Sequence, residues 1–348
     1  MGRVRMGLCI KGMRSIVFIG AFMLTATLVL SSPINAEAKK MQFRFGFDTN
    51  PKVGGGTAGV LAEKYINESC AGEIEAKFFP NAVMGTDPEM IDKTRMGALQ
   101  GVIMPIAVLG TTIPYTDSLV LPFVVNSWEK AETFLDSPVS QEFLKGVESY
   151  GFKGMGFCTF GLYGLELNKE ARTLEEISKL KFRVAPSPIL LKTFKALDIE
   201  PMVIQFPDLY ESLKQGVVDG CDLPPNVAVL VKYTEVIKYF VKTGHTFGLY
   251  MFMVNKGWYD KIPDDVRVKF DAAIDRACRE HWEGEKKAEQ RALEIFEEKG
   301  IQTIDLPPEE MQKFVDATKS VVEWRLGEYD AKGKAIAEKV FEVVNYQR

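Results

Sequence analysis

Histidine is nearly missing from this chain: the 348 residues contain only two, His245 and His281, and only five cysteines. Neither histidine sits in an H-E-x-x-H helix motif, and no G-x-S-x-G elbow accompanies them, so the usual zinc-protease and serine-hydrolase arrangements are absent. His281 falls within a charge-rich stretch and is read as solvated. The cysteines Cys70, Cys158, Cys221 and Cys278 have no zinc-site spacing, and are read as buried thiols acting as small hydrophobes. No basic stripe is present either; lysine and arginine are scattered, which argues against nucleic acid as a partner. Paired carboxylates leave no sequence signature, and nothing favours a carboxylate hydrolase. No cofactor or metal is expected.

One long apolar run exists, and it lies at the start. Arg3, Arg5, Lys11 and Arg14 precede an uncharged apolar stretch at residues 15–30, followed by Ser-Ser-Pro and the small residues Ala36 and Ala38. That order reads as an export signal at residues 1–36, with cleavage near Ala36 or Ala38. The run of about 16 residues is shorter than the roughly 20 a spanning helix needs. Losing these four basic residues takes the formal charge from −4 to −8, which suits a protein diffusing in the periplasm.

Beyond it, residues 41–48 alternate apolar and polar, a strand pattern, and residues 57–69 read as an amphipathic helix. Strands and helices then keep alternating through residues 73–79, 88–97, 101–109, 152–160, 174–197 and 201–223. Such alternation argues for parallel α/β sheets with ligands at the carboxyl ends of the strands. Residues 263–299 read as one helix on the order of 50 Å long, which most simply lies across two domains. Gly54-Gly55-Gly56-Thr57-Ala58-Gly59 matches G-x-G-x-x-G, but the following strand ends Phe78-Phe79-Pro80-Asn81, without the acid a dinucleotide ribose needs. The turn is therefore expected to line a ligand cleft rather than hold a nucleotide.

Arg183 is the residue that needs explaining, because it lies inside an otherwise apolar strand at residues 181–184. A guanidinium there requires a partner. An internal carboxylate such as Asp208 or Glu211 would serve, and so would the carboxylate of a ligand held by two parallel N–H···O bonds.

Five spaced motifs resemble the DctP-type solute receptors of tripartite ATP-independent periplasmic (TRAP) transporters. They are Pro80-Asn81-Ala82-Val83-Met84-Gly85-Thr86-Asp87, Leu121-Pro122-Phe123, Leu180-Lys181-Phe182-Arg183-Val184, Tyr210-Glu211-Ser212-Leu213-Lys214-Gln215-Gly216-Val217-Val218-Asp219-Gly220 and Glu235-Val236-Ile237-Lys238-Tyr239. The resemblance implies an α/β, two-domain periplasmic binding protein (type II-like) with a long helix spanning both domains. It divides the chain into residues 41–160 plus 250–288 and residues 161–249 plus 289–348. It also implies a periplasmic receptor that closes on an organic acid and hands it to the membrane subunits of a TRAP permease, with Arg183 pairing the ligand carboxylate.

Departures from the family pattern bear on the ligand. Tyr163 stands where sugar-acid receptors place a second arginine, Leu223 where they place an asparagine, and Met104, Pro105 and Pro186 at other polar cleft positions. Phe206 falls where an aromatic residue lines the pocket; Phe47, Phe160, Phe247 and Tyr250 lie near strand ends that could face the same space. The expected ligand is a monocarboxylate with an apolar or aromatic body, such as an aromatic amino acid, an indole-type acid or a keto acid. Asp48 or Asp222 would meet an amino group or cap a turn. The alternatives are a receptor for a small dicarboxylate or hydroxy acid, with Lys52 or Lys181 as second cation; a periplasmic enzyme on the same fold; and a signalling protein that hands ligand occupancy to a sensor.

Overall fold

The computed structural model describes residues 40–347, so the expected export segment lies outside the described residues. Among the described residues no helix is long and apolar enough to cross a membrane. The chain opens with β1 (Met41–Gly46), in which Phe43 and Phe45 are buried while Gln42 and Arg44 are exposed, the period-two pattern of a half-covered strand. After the helix Gly55–Ser69, β2 (Ile74–Phe79) pairs in parallel with β1. Next come β3 (Gly101–Pro105) and β4 (Phe152–Leu162), then β5 (Gly164–Leu167), β6 (Phe182–Val184), β7 (Met202–Val203), β8 (Gly220–Leu223) and β9 (Tyr239–Val241). Last are β10 (Phe247–Asn255) and β11 (Gln302–Ile304).

These strands form two sheets, ordered β2-β1-β3-β10-β4 and β11-β9-β5-β8-β6-β7. Each is the centre of one lobe. β10 is inserted antiparallel between β3 and β4, and all nine of its residues are buried, as expected of a strand covered on both faces. The chain leaves the first lobe through the single residue Tyr163, between β4 and β5, and returns through residues 242–246, between β9 and β10.

The helix Asp264–Glu298 runs 35 residues, about 50 Å. Asp264 and Asp265 in its first turn complement the helix dipole. It stops where Gly300 adopts φ 72°, a left-handed conformation that glycine reaches without a Cβ clash. Its first half packs on the helix Gly55–Ser69 and on β4, while Phe296 near its end meets Phe240 of the second lobe at 5.5 Å. A second helix, Pro308–Glu328, also bridges: Phe314 lies in the second lobe's core, Val322 and Leu326 in the first's. Arg325 then ties it to buried Asp117 at 2.8 Å, with Tyr329 donating to the same carboxylate.

The expected division of the chain differs at its end. The sequence pattern places residues 289–348 in the second domain, but the helix Ala331–Val343 sits on the first lobe, where Ile336 and Val340 join Tyr115 and Phe143 in one core. An amphipathic helix carries no sequence mark of the face it will cover, so only the tertiary packing decides this. All four described cysteines are free and buried; Cys158 and Cys278 stand with their sulfurs 3.6 Å apart.

Candidate functional site

A cavity of about 120 Å³ lies between the two sheets. Strand ends surround it. Asp48 follows β1, Pro105 ends β3, Phe160 is near the end of β4, Arg183 is in β6 and Leu223 ends β8. β10 runs the other way, so it contributes its beginning, Phe247 to Tyr250. The site is thus set at the carboxyl edges of the parallel strands, where helix N-termini and loops converge. The lobes touch across it: the Ser187 hydroxyl donates to the Ala107 carbonyl at 3.4 Å.

Arg183 is 3% exposed, with its Nε donating to the Ile204 carbonyl at 2.9 Å. That bond holds the guanidinium by Nε alone, and the residue lines the cavity. Neither expected internal partner reaches it. Glu211 is engaged with Lys214 and Gln215, and among the described residues no carboxylate lies within 4.0 Å of the guanidinium. Immediately after β6, the helix Pro188–Ala196 begins with Ser187 as its cap, so a helix N-terminus adds positive potential on the same side.

Tyr163 occupies the crossover itself. Its ring fits because residue 248 is glycine: a Cβ there would sit 2.5 Å from the Tyr163 ring and 2.7 Å from Phe160. Burial pushes its hydroxyl well above the ordinary tyrosine range, so it stays protonated and can donate. Opposite, Phe160 stacks on Tyr250 at 4.7 Å, making an aromatic wall, and Phe206 lies against Tyr233 on the other lobe.

Of the nine residues expected at the site, six line this cavity: Arg183, Tyr163, Phe206, Leu223, Asp48 and Phe160. Three do not. Met104 points to the opposite face of β3, into the core with Leu99 and Val102, because only one face of a strand can meet the cleft. Phe47 is buried behind the wall, edge-on to Tyr250 at 5.5 Å, and supports the ring rather than a ligand. Asp222, one residue before Leu223, faces away from the cavity; it is 1% exposed and lies 3.8 Å from His245.

Two other expectations change. The Gly54-Gly55-Gly56 turn does not line the cavity. It is glycine-rich because Gly54 has φ 47° and because a Cβ on Gly55 or Gly56 would collide with Ile103 or the Asn50 carbonyl. His281 is not solvated but 2% exposed, and burial lowers it to about 4. His281 Nδ1 and the Thr57 hydroxyl share a hydrogen bond at 2.5 Å, and Nε2 lies 3.0 Å from both the N–H and the carbonyl of Thr159. A neutral histidine therefore pins the long helix to β4 and to the turn.

Residues not singled out beforehand also face the cavity, above all Asp87, with Leu190, Leu249 and Gln205. Asp87 could have been found. Thr86 and Glu89 form a capping box that places Asp87 at the first helical position, and that helix follows β2. Burial raises Asp87 to about 6; Asp48 rises well above the carboxylate range through burial and the proximity of Asp87. No group of three or more metal-ligating side chains occurs among the described residues.

Comparison with known proteins accords with this architecture. The chain is 27% identical over 278 residues (79% of it, 82% of the relative) to the "C4-dicarboxylate-binding periplasmic protein DctP" of Rhodobacter capsulatus. It is 23% identical to the "2,3-diketo-L-gulonate-binding periplasmic protein YiaO" of Escherichia coli, over 75% of this chain and 80% of that one. A TRAP periplasmic solute binding protein from Desulfovibrio salexigens with bound orotic acid superposes with a TM-score of 0.81 at 23% identity, covering 88% of this chain and 99% of that one. One from Chromohalobacter salexigens with bound D-glucuronate gives 0.81 at 20%, covering 86% and 99%. Residues 50–327 match the family DctP, described as bacterial extracellular solute-binding protein, family 7, and the chain belongs to that family of TRAP solute receptors, which are not enzymes.

Proposed function

We propose that the protein captures an organic monocarboxylate with an apolar or aromatic body and delivers it to the membrane subunits of a TRAP permease. The observation that carries this reading is Arg183: a buried arginine lining the cavity, with no carboxylate within 4.0 Å among the described residues. A ligand carboxylate would meet its guanidinium with two parallel bonds. Phe160, Tyr250, Phe206 and Leu223 would enclose the remainder, where each unpaired ligand hydroxyl would cost about 1–3 kcal/mol. Burying an apolar body instead gains roughly 25 cal/mol per Å². Because ligand would touch both lobes, binding stabilises the closed form. Export through a cleaved signal at residues 1–36 completes the reading.

A small dicarboxylate or hydroxy acid is the second reading, favoured by the name of the Rhodobacter relative. It needs another cation, and neither lysine considered for that role lines the cavity: Lys52 is exposed, and Lys181 lies on a separate surface hollow. A thermal-shift screen of aromatic acids, dicarboxylates and sugar acids separates the two. The expected outcome is stabilisation by aromatic monocarboxylates of about 3–4 kcal/mol at saturating ligand, abolished in Arg183→Ala. Stabilisation by dicarboxylates alone, or binding that survives Arg183→Ala, would overturn the first reading.

A further inference from the structure

The first lobe faces the cavity with two acids. Asp48 and Asp87 both line it, and each has a carboxylate oxygen, Oδ1, that is buried without a hydrogen-bond partner among the described residues. No lysine or arginine of the described residues lies within 4.0 Å of either. Tyr250, fully buried between them and Phe160, also lines the cavity with its hydroxyl unpartnered. With the unpartnered Thr49 hydroxyl, four orphaned polar atoms thus belong to cavity-lining residues of the first lobe, while Arg183 comes from the second. Native proteins leave buried polar atoms unsatisfied only rarely, and where such atoms line a cavity a bound group can supply the missing partner.

We infer that the ligand is a zwitterion, whose carboxylate meets Arg183 and whose protonated amino group is held between Asp48 and Asp87 with the Tyr250 hydroxyl beside them. This rests on the carboxylate role proposed for Arg183 and adds the opposite pole. An ammonium group has three N–H donors, enough for both carboxylates and a phenol oxygen. The charges agree. With both acids ionised, the form that an ammonium group between them favours, Arg183, Asp48 and Asp87 give the cavity a formal sum of −1. A monocarboxylate would deepen it to −2 in a space screened from water and a dicarboxylate to −3, while a zwitterion leaves it unchanged. A hydroxyl could bond one acid but would not relieve the repulsion between two. The upward displacement of both acids has the same origin: each is buried without a cation. The poles lie on different lobes, so one amino acid can bridge them only when the lobes are together.

The test is a thermal-shift and calorimetry panel of α-amino acids, each against its counterpart lacking the amino group (phenylalanine against 3-phenylpropanoate, tryptophan against indole-3-propanoate, and so on). It is run on the full chain and on Asp48→Asn, Asp87→Asn and Arg183→Ala. The expected result is that an amino acid binds at least about tenfold tighter than its deaminated counterpart, and that either Asp→Asn change closes most of that gap. If one aspartate variant fails to fold, the other still reads the gap, and the comparison within the wild-type protein needs neither. A deaminated acid that binds as tightly as its amino acid overturns the zwitterion while leaving Arg183 its role. An amino acid that still binds Arg183→Ala at full strength overturns the carboxylate assignment instead. A panel with no binding amino acid refutes the inference outright.

Discussion

The two lobes are built to different standards. The first has strands of five to eleven residues around a layered aromatic core, in which Phe45 meets Phe43, Phe78 and Phe252 within 5.3 Å. The second has strands of two to four residues, with one core around Phe182 and Phe194, while Leu209, Leu213, Cys221 and Phe240 join a core shared with the first lobe. The lesser lobe nevertheless carries the guanidinium, on a three-residue strand, and the larger one carries the two acids. A lobe with little core of its own can hold a buried arginine because bridging helices brace it against the other.

The comparison can be broken most directly at the cores. Phe45→Ala should destabilise by about 3–5 kcal/mol and Phe194→Ala by less, since Phe45 stacks against three rings whereas the equally buried Phe194 stacks against one, Phe182, with His245 edge-on. Chemical denaturation of both variants measures the difference; equal losses would mean that the second lobe is as tightly built as the first.

At the seam the expected effect is smaller and depends on pH. Burial lifts Glu285, on the long helix, to about 7, although Asn226 donates to it at 2.6 Å. In the unfolded chain it titrates near its ordinary 4.5. Its contribution to stability is therefore fully present below about 4.5 and is lost as the pH rises through 7. Glu285→Gln should raise the melting temperature at pH 8 by an amount equivalent to roughly 1–3 kcal/mol and leave it nearly unchanged at pH 4. His281, one turn away, runs the opposite way: its contribution is present above 6.5 and fades as the pH falls through about 4. Melting curves across pH 4–8 for both proteins check the sign.

The smallest effect belongs to the wall of the lesser lobe. Leu223→Asn should leave the fold intact and weaken an aromatic ligand by about 1–2 kcal/mol. A gain in affinity for a hydroxylated acid would show the second lobe to be the more polar side.

Much of this was legible in sequence order alone. Alternating Phe43, Phe45 and Phe47, the capping box at Thr86, and the acid-led helix ending before Gly300 each declare their local structure, because their causes are local. Arg183 could be singled out because a charge in an apolar strand must have a partner. The misreadings arose where two distant segments decide the outcome. Met104 and Asp222 are each one residue away from a side chain that lines the cavity, and a strand's sequence does not say which face meets the cleft. His281 looked solvated among charged neighbours, yet its helical face turns toward Thr57 and Thr159, from the other side of the chain. The helix was legible from residue 88; that its first residue, Asp87, meets the β1 edge beside Asp48 was not.

The long helix has one mechanical consequence. It grips the crossover strand at two points: Glu289 accepts from the Leu162 N–H at 2.8 Å and from the Trp128 indole at 3.0 Å, and His281 holds Thr159. Because it also packs on the second lobe at Phe296, the lobes cannot swing apart about Tyr163 like a free door. Opening must flex the continuous helix between those grips and Phe296, and gentle curvature is what a helix without an internal proline permits. The receptor therefore has a leaf spring in place of a pin, so the stiffness of a surface helix helps set how readily the cleft releases its cargo.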